Sequence, residues 1–255
     1  MLTTYIYDGS FEGFLSAVFT YFERRPKQVQ IVQEKRYQPD AFAGVLTVTS
    51  DENQAERVWR GLKKKMSSQG LSTIYSCYLS ELPCFEHILL NCIIRIFEDK
   101  RRVEADFSCT FMLQLSQIAR KVGREKHRFE AFVRFEKQAN GLFYAGIEPD
   151  FNVLPLIAPH FTRRYADQPW LIFDIRRSYG IHYDLQSVQE VHIAESKNRG
   201  NSSAKISYDD KEAQYQLLWQ DYFRHVNIPQ RKNMKLHRQH VPLRYVKNMA
   251  EIVNI

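Results

Sequence analysis

The stretch YIYDGSFEGFLSAVFTYF, residues 5–22, contains the first strand and the first helix that the sequence predicts. Tyr5–Tyr7 is a short apolar run, and the Asp8-Gly9 pair that follows it favours a turn. Beyond the turn, apolar residues recur every three or four positions, as one face of a helix requires. These residues are Phe11, Phe14, Leu15, Val18, Phe19 and Phe22. The chain therefore begins with a strand followed by a helix that has one buried face.

The same order of elements is repeated before residue 80. Gly44–Thr49 predicts a second strand, and Asp51 with Gln54 three residues later forms a capping box that starts a second helix. Apolar residues at helical spacing continue this helix to Gly70. Residues 1–80 are thus expected to form a small strand–helix–strand–helix unit.

Two central helices are expected next. Pro83 suits a first helical turn, because its missing N–H is not needed there, and a wide apolar stripe follows over Phe85–Phe97. A further helix is predicted from about Val103 to Val122, with Gly123 closing it in the left-handed conformation.

The pattern then changes to the alternation of a strand. In 128–136, apolar residues at every second position predict a strand with one wet face, and Asn140-Gly141 predicts a hairpin into Leu142–Glu148. Further antiparallel strands are expected after a helix at Asn152–Tyr165 that Pro159 kinks or restarts. They are Trp170–Arg177, Ile181–Asp184 and Val188–Ile193, with a turn at Tyr179-Gly180.

The predicted fold class is α+β. It comprises the N-terminal unit, the central helices, an antiparallel sheet with hairpins, and a C-terminal helix from Asp209 to Phe223 that leads into a basic arm. We divide the chain into residues 1–80 and 81–255, with one continuous globular unit as the alternative.

Composition excludes several classes of protein. The 255 residues are 44% apolar, which suits a packed core, and no apolar run approaches the ~20 residues of a membrane span. The N-terminus has no basic leader before an apolar segment, so we expect a cytoplasmic protein without a membrane partner. None of the four cysteines forms a C-x-x-C pair, and the common nucleotide, zinc-protease and hydrolase motifs are missing. We therefore expect no metal and no cofactor.

Positive charge is concentrated at the C-terminal end of the chain. Residues 211–255 contain eight Lys/Arg against three Asp/Glu, out of a net charge of +7 for the whole protein. Together with arginines that lie near aromatic residues upstream, this distribution predicts a nucleic-acid-binding surface. The candidate residues are Arg124, His127, Arg128, Arg134, Arg163, Arg164, Trp170, Arg177, Arg231, Arg238, His240, Arg244 and Tyr245.

Structural roles compete with this interpretation. The cations between Arg120 and Arg128 are expected at a helix end, where they would also stabilise the helix dipole. Only one of Arg176 and Arg177 can share a strand face with a ligand, and salt bridges to Asp167, Asp174 or Asp184 would explain both.

Glu148, Asp150 and His160 are the candidates for acid–base chemistry. They fall between a predicted strand and a predicted helix, but Asp150 is equally well explained as a turn or N-cap residue. Asp184 with Glu195-Ser-Lys197 superficially fits a nuclease pattern. The same E-x-K triplet at Glu98–Lys100 shows how often such a pattern arises by chance.

Three blocks of the sequence resemble a bacterial family of probable DNA metabolism proteins that is built around a domain of unknown function. They are REKHRFEAFVRFE (124–136), IEPDFNVLPLIAPHFTRRYADQPWLIFDIRRSYGIHYD (147–184) and LHRQHVPLRYVKNM (236–249). Members are typically encoded beside a putative DNA-repair or DNA-modification radical-SAM protein, and the domain also occurs fused to uracil-DNA-glycosylase-like domains. The resemblance implies DNA metabolism and a protein partner, but it supplies no catalytic residue.

Three hypotheses follow from the sequence. The leading one is an accessory protein of DNA repair or modification that binds nucleic acid and acts with a radical-SAM or base-processing partner. The second is an enzyme, nuclease-like or glycosylase-like, that itself acts on damaged or modified DNA. The third is a protein-interaction module without direct DNA contact. The sequence does not decide whether the protein is a catalyst.

Overall fold

A computed structural model describes residues 2–39, 44–99, 101 and 103–192. The chain divides into two compact units, Met1–Gly123 and Arg124–Ile255. Within the described residues, none of the helices combines the length and the apolar character that crossing a membrane would need. The predicted division at residue 80 concerns independent folding and stays a prediction.

The first unit is built on a three-stranded parallel sheet. Its central strand β1 pairs with β2 from Leu2 to Tyr7 and with β3 from Thr3 to Ile6. The elements in chain order are β1 (Leu2–Tyr7), α1 (Phe11–Arg24), β2 (Gln28–Gln33), a 3-10 turn (Glu34–Arg36), β3 (Gly44–Thr47), α2 (Glu52–Lys65), α3 (Ser68–Tyr78) and α4 (Phe85–Glu98).

Side-chain caps start the first two helices, as the sequence predicts for α2. Ser10 Oγ accepts from the Gly13 N–H at 2.9 Å, and Asp51 Oδ1 accepts from the Gln54 N–H at 2.9 Å. Asp8 accepts from the hydroxyls of Ser10 and Ser50, both at 2.7 Å, and so joins the two loops that precede these helices. Local hydrogen bonds therefore fix where α1 and α2 begin.

The core of the first unit lies between the sheet and its helices. Phe14 of α1 contacts Tyr7 of β1 and Phe85 of α4, and all three side chains are fully buried. One carboxyl group, that of Glu86, is enclosed in this core at 5% exposure and accepts a long hydrogen bond of 3.4 Å from the Tyr7 hydroxyl. Burial raises the pKa of Glu86 and of Tyr7.

Three sequence predictions for this unit were incomplete. The strand β2 was missed, and the helix expected to reach Gly70 ends at Lys65. A separate helix begins after Ser67, whose hydroxyl accepts from the Gly70 N–H at 3.0 Å. Pro83 lies just before α4 rather than inside its first turn. The apolar pattern had predicted one helix here, but the N-cap residue Ser67 starts a new helix within that pattern.

The second unit is built on a five-stranded mixed sheet in the order β4-β5-β6-β7-β8. Its strands β5 and β6 are parallel, while β4–β5, β6–β7 and β7–β8 are antiparallel. The elements are the end of α5 (Thr110–Phe132), which begins in the first unit, then β4 (Glu136–Lys137), β5 (Phe143–Ile147), α6 (Leu154–Arg164), β6 (Trp170–Asp174), β7 (Tyr179–Tyr183) and β8 (Val188–His192). The Asn140-Gly141 hairpin is confirmed, with Gly141 at φ 85°.

The end of the long central helix was predicted wrongly. α5 does not close at Gly123 but continues to Phe132, so most of the strand expected at 128–136 is helix. Val122, Glu125, Phe129 and Val133 are buried at helical spacing across the expected boundary. The basic residues from Arg120 to Arg128 therefore lie within a helix and not at its end.

Two further predictions for this sheet were wrong. They are the antiparallel pairing of all its strands and the turn at Tyr179-Gly180. The crossover through α6 makes β5 and β6 parallel neighbours, and α6 continues through Pro159. Tyr179-Gly180 lies in β7, and the turn before it occupies residues 175–178. The α+β class itself is confirmed. The predicted C-terminal helix and basic arm lie outside the described residues.

Candidate nucleic-acid interface

In the second unit, the segment from Arg124 to Phe135 contacts the residues on either side of α6 at both of its ends. Near its start, the Glu125 carboxylate of α5 accepts from the N–H groups of Asp150 (3.0 Å) and Phe151 (2.9 Å), just before α6. At the other end, the Phe135 ring after α5 lies 5.3 Å from Tyr165 and 6.3 Å from Trp170. The segment from Arg124 onward thus runs beside α6 in the same direction.

Both α5 and α6 carry basic residues in this region. Arg124 and His127 are exposed and Arg128 is half-buried on α5, while Arg163 and Arg164 are exposed in the last turn of α6. The opposite side of α5 is anchored by the buried Glu125 and Phe129. Helical spacing turns Arg124 and His127 away from this buried side, whereas Arg128, three residues after Glu125, lies at its edge.

Among the described residues, four arginines of these two helices have no acidic partner. Within the described part of the chain, no carboxylate lies within salt-bridge distance of Arg124, Arg128, Arg163 or Arg164. Other cations of the unit are paired, because Lys126 lies 3.1 Å from Glu130 and Arg176 lies 3.6 Å from Asp150. We call Arg124, Arg128, Arg163 and Arg164 the arginine layer.

Three of the predicted interface residues make contacts within the second unit, and their assignment to nucleic acid stays a prediction. Arg177 is only 13% exposed and donates to Asp174 Oδ2 at 2.9 Å and to the carbonyls of Pro149 and Asp150. Arg134 donates to the Ala131 carbonyl at the end of α5 at 2.9 Å. Trp170 is 0% exposed, so its ring cannot stack on a base in this conformation. The salt-bridge alternative is thereby confirmed for Arg177 with Asp174.

The loop from β5 to α6 is held by the Arg177–Asp174 pair and by Glu125, which the sequence did not single out. Glu125, at 2% exposure, binds two backbone N–H groups of the loop, and the Arg177–Asp174 pair fastens its carbonyls to the end of β6. Burial raises the pKa of Asp174, and the Arg177 guanidinium opposes that shift. The only sign of this anchoring role in the sequence is that Glu125 is an acidic residue between two basic residues, Arg124 and Lys126.

The structure does not join the three acid–base candidates into one group. Glu148 and Asp150 are exposed in the loop, whereas His160 lies in α6 with its ring edge-on to Phe161 at 5.1 Å. Among the described residues, His160 Nε2 is buried without a hydrogen-bond partner. Asp150 is not the N-cap of α6, because Val153 holds that position.

Metal chemistry finds no support in the same residues. In the part of the chain that the structure describes, no three His, Cys, Asp or Glu side chains cluster as a metal site would require. Asp184 accepts from the N–H groups of Gln186 (2.9 Å) and Ser187 (2.7 Å) and so stabilises a turn. Its expected nuclease partners, Glu195 and Lys197, lie outside the described residues.

The remaining interface candidates also lie outside the described residues. They are Arg231, Arg238, His240, Arg244 and Tyr245. Their assignment as nucleic-acid-binding residues stays a prediction, as does that of the arginine layer and His127.

In a comparison with protein families, residues 83–251 match the model described as a domain of unknown function, DUF4130. The chain belongs to the DUF4130 family. The DUF4130 domain begins just before α4 and includes α5, α6 and the mixed sheet, so the whole arginine layer lies within it. Comparison with curated proteins finds no match.

Proposed function

We propose that this DUF4130 protein is an accessory protein of DNA metabolism that binds nucleic acid and acts with a radical-SAM or base-processing partner. The arginine layer is the observation that carries the nucleic-acid part of the proposal. The sequence resemblance supports the DNA-metabolism context and the partner.

An arginine without an ion-pair partner among the described residues contributes little to the free energy of folding. The arginine layer therefore points to a ligand rather than to a role in stability. Exposed ion pairs are worth only about 0–1 kcal/mol, so selection for stability alone does not require four arginines on one layer. Phosphate is the anion that guanidinium groups bind best in two-point geometry. The arginine layer is therefore suited to a polyanion.

The spacing of the arginines fits a ligand with several phosphates. α6 has 11 residues, which at the helical rise correspond to roughly 16 Å, and Arg163 and Arg164 lie at the end away from Glu125. Arg124 and Arg128 lie near the Glu125 end. At about 3.4 Å per nucleotide of a duplex strand, this length corresponds to about five nucleotides.

Fluorescence anisotropy with labelled single-stranded and duplex DNA at two salt concentrations tests the proposal. We expect binding at low salt that weakens steeply as salt increases, because phosphate contacts release condensed counterions. The double variants R124A/R128A and R163A/R164A should each reduce the slope of log affinity against log salt by about one per lost phosphate contact.

The matched control is Arg60→Ala, which removes an exposed arginine that already pairs with Glu56 at 2.7 Å. Its salt slope should equal that of the wild type. Absence of binding to either DNA at low salt, or slopes unchanged in both double variants, overturns the nucleic-acid proposal. Co-elution with a purified radical-SAM protein of the kind that the resemblance implies tests the partner separately.

A further inference from the structure

The end of α6 carries a stack of planar groups that reaches from the core to the surface. The rings of Phe161 and Tyr165 are nearly parallel, at 8° with centroids 6.1 Å apart. The Arg164 guanidinium carbon lies over the Tyr165 ring at 5.7 Å from its centroid. Phe161 is the buried member of this group, Tyr165 is half-buried and Arg164 is exposed.

The inner part of the stack is fixed by packing. Phe161 is 2% exposed and contacts the buried Trp170 at 6.2 Å, while Phe135 lies edge-on to Tyr165 at 5.3 Å. The Tyr165 N–H also donates to the Phe161 carbonyl at the end of the helix. A ring held on several sides presents its remaining face in one orientation.

The outer end of the stack is open and positively charged. Arg164 is exposed, and the neighbouring Arg163 is exposed as well. Among the described residues, Asp167, the nearest carboxylate along the chain, forms an ion pair with neither arginine. The end of α6 thus combines the planar guanidinium of Arg164, which lies over the Tyr165 ring, with the exposed guanidinium of Arg163 beside it.

We propose that Arg164 and Tyr165 form a stacking platform for one base of single-stranded nucleic acid, with Arg163 contacting an adjacent phosphate. This inference rests on the proposed function and specifies the ligand of one part of the arginine layer. A guanidinium plane and a tyrosine ring both accept the face of a nucleobase, and every base has such a face. In a duplex the base faces are covered by neighbouring pairs, so the platform favours an unpaired base.

Two probes of equal length and charge separate stacking from phosphate contact. One is a fluorescein-labelled 15-nucleotide oligo-dT, and the other is an abasic phosphodiester chain with the same label. We expect the wild type to bind oligo-dT more tightly than the abasic chain by at least about fivefold, the lower bound for stacking one base.

Three variants locate the effect. Arg164→Lys keeps the charge but lacks a planar group and should lose most of the preference for oligo-dT. Arg163→Lys is the matched control and should retain that preference. Tyr165→Leu should also lose it, and Arg164→Lys decides the question if Tyr165→Leu unfolds.

The outcomes distinguish this inference from the function on which it rests. Equal affinity of the wild type for both probes, with salt-dependent binding intact, overturns the platform but leaves the nucleic-acid proposal standing. An unchanged preference in Arg164→Lys also overturns the platform. Failure of the wild type to bind any probe at low salt overturns both.

Discussion

Removing the Glu125 carboxylate should loosen the loop that joins β5 to α6. In Glu125→Ala, the N–H groups of Asp150 and Phe151 lose an acceptor at 3.0 and 2.9 Å. A buried N–H left without a partner costs about 1–3 kcal/mol, and these two are only partly buried, so the lower end applies to each. Loss of the one methylene that alanine lacks, Cγ, adds about 0.8 kcal/mol.

The expected loss is therefore about 3 kcal/mol, a large fraction of the ~5–15 kcal/mol that stabilises a typical domain. Glu125→Gln keeps one acceptor oxygen but places an amide NH2 against the other N–H, so we expect an intermediate loss. Glu130→Ala serves as the control, because the ion pair of Glu130 within the described part of the chain is with Lys126 on the same helix, at 3.1 Å. That substitution should cost less than about 1 kcal/mol.

Urea unfolding followed by circular dichroism measures these differences, and amide hydrogen exchange shows where they arise. Exchange should accelerate in peptides covering residues 148–153 before other segments are affected. An unfolding midpoint of Glu125→Ala equal to that of Glu130→Ala, or unchanged exchange in the loop, would refute the anchoring role of Glu125.

Two further predictions concern the cores of the two units. Burial raises the folded-state pKa of Glu86, so its ionisation opposes folding as the pH rises through that value. Glu86→Gln should therefore be more stable than the wild type at pH 8, by about 1 kcal/mol. In thermal melts, this difference in stability should shrink towards pH 4. A less stable variant at pH 8 would contradict this. Gly180→Ala would place its Cβ 2.8 Å from the Ile172 carbonyl and 2.9 Å from the Phe173 ring, and should lower the free energy of unfolding by about 1–3 kcal/mol. The control is Gly123→Ala, whose Cβ would have nothing within 4 Å, so this variant should be neutral or stabilising. Equal melting temperatures for these two glycine variants would show that the strands around Gly180 can move apart.

The sequence by itself determined the elements whose ends depend on local hydrogen bonds. Asp51 and Gln54 predicted the start of α2, because an N-cap satisfies donors only three residues away. Asn140-Gly141 predicted the hairpin, because the positive φ of a tight turn suits these residues. The basic character of the arginine layer could also be predicted, since it depends only on which residues carry charge.

Tertiary structure decided the features for which local signals conflicted. Phe129 and Val133 fit both a strand alternation and a helical stripe, and packing of the α5 face that contains Glu125 selected the helix. Gly123 did not end α5, because a glycine permits a left-handed residue without requiring one. Tertiary structure also decided which of the described arginines form ion pairs. Arg177 is adjacent to Arg176 in sequence, but it fits against Asp174 and the Pro149 carbonyl, whereas Arg163 and Arg164 face outward from α6. An ion pair depends on which distant segments the fold brings together, and a single sequence does not specify those distances.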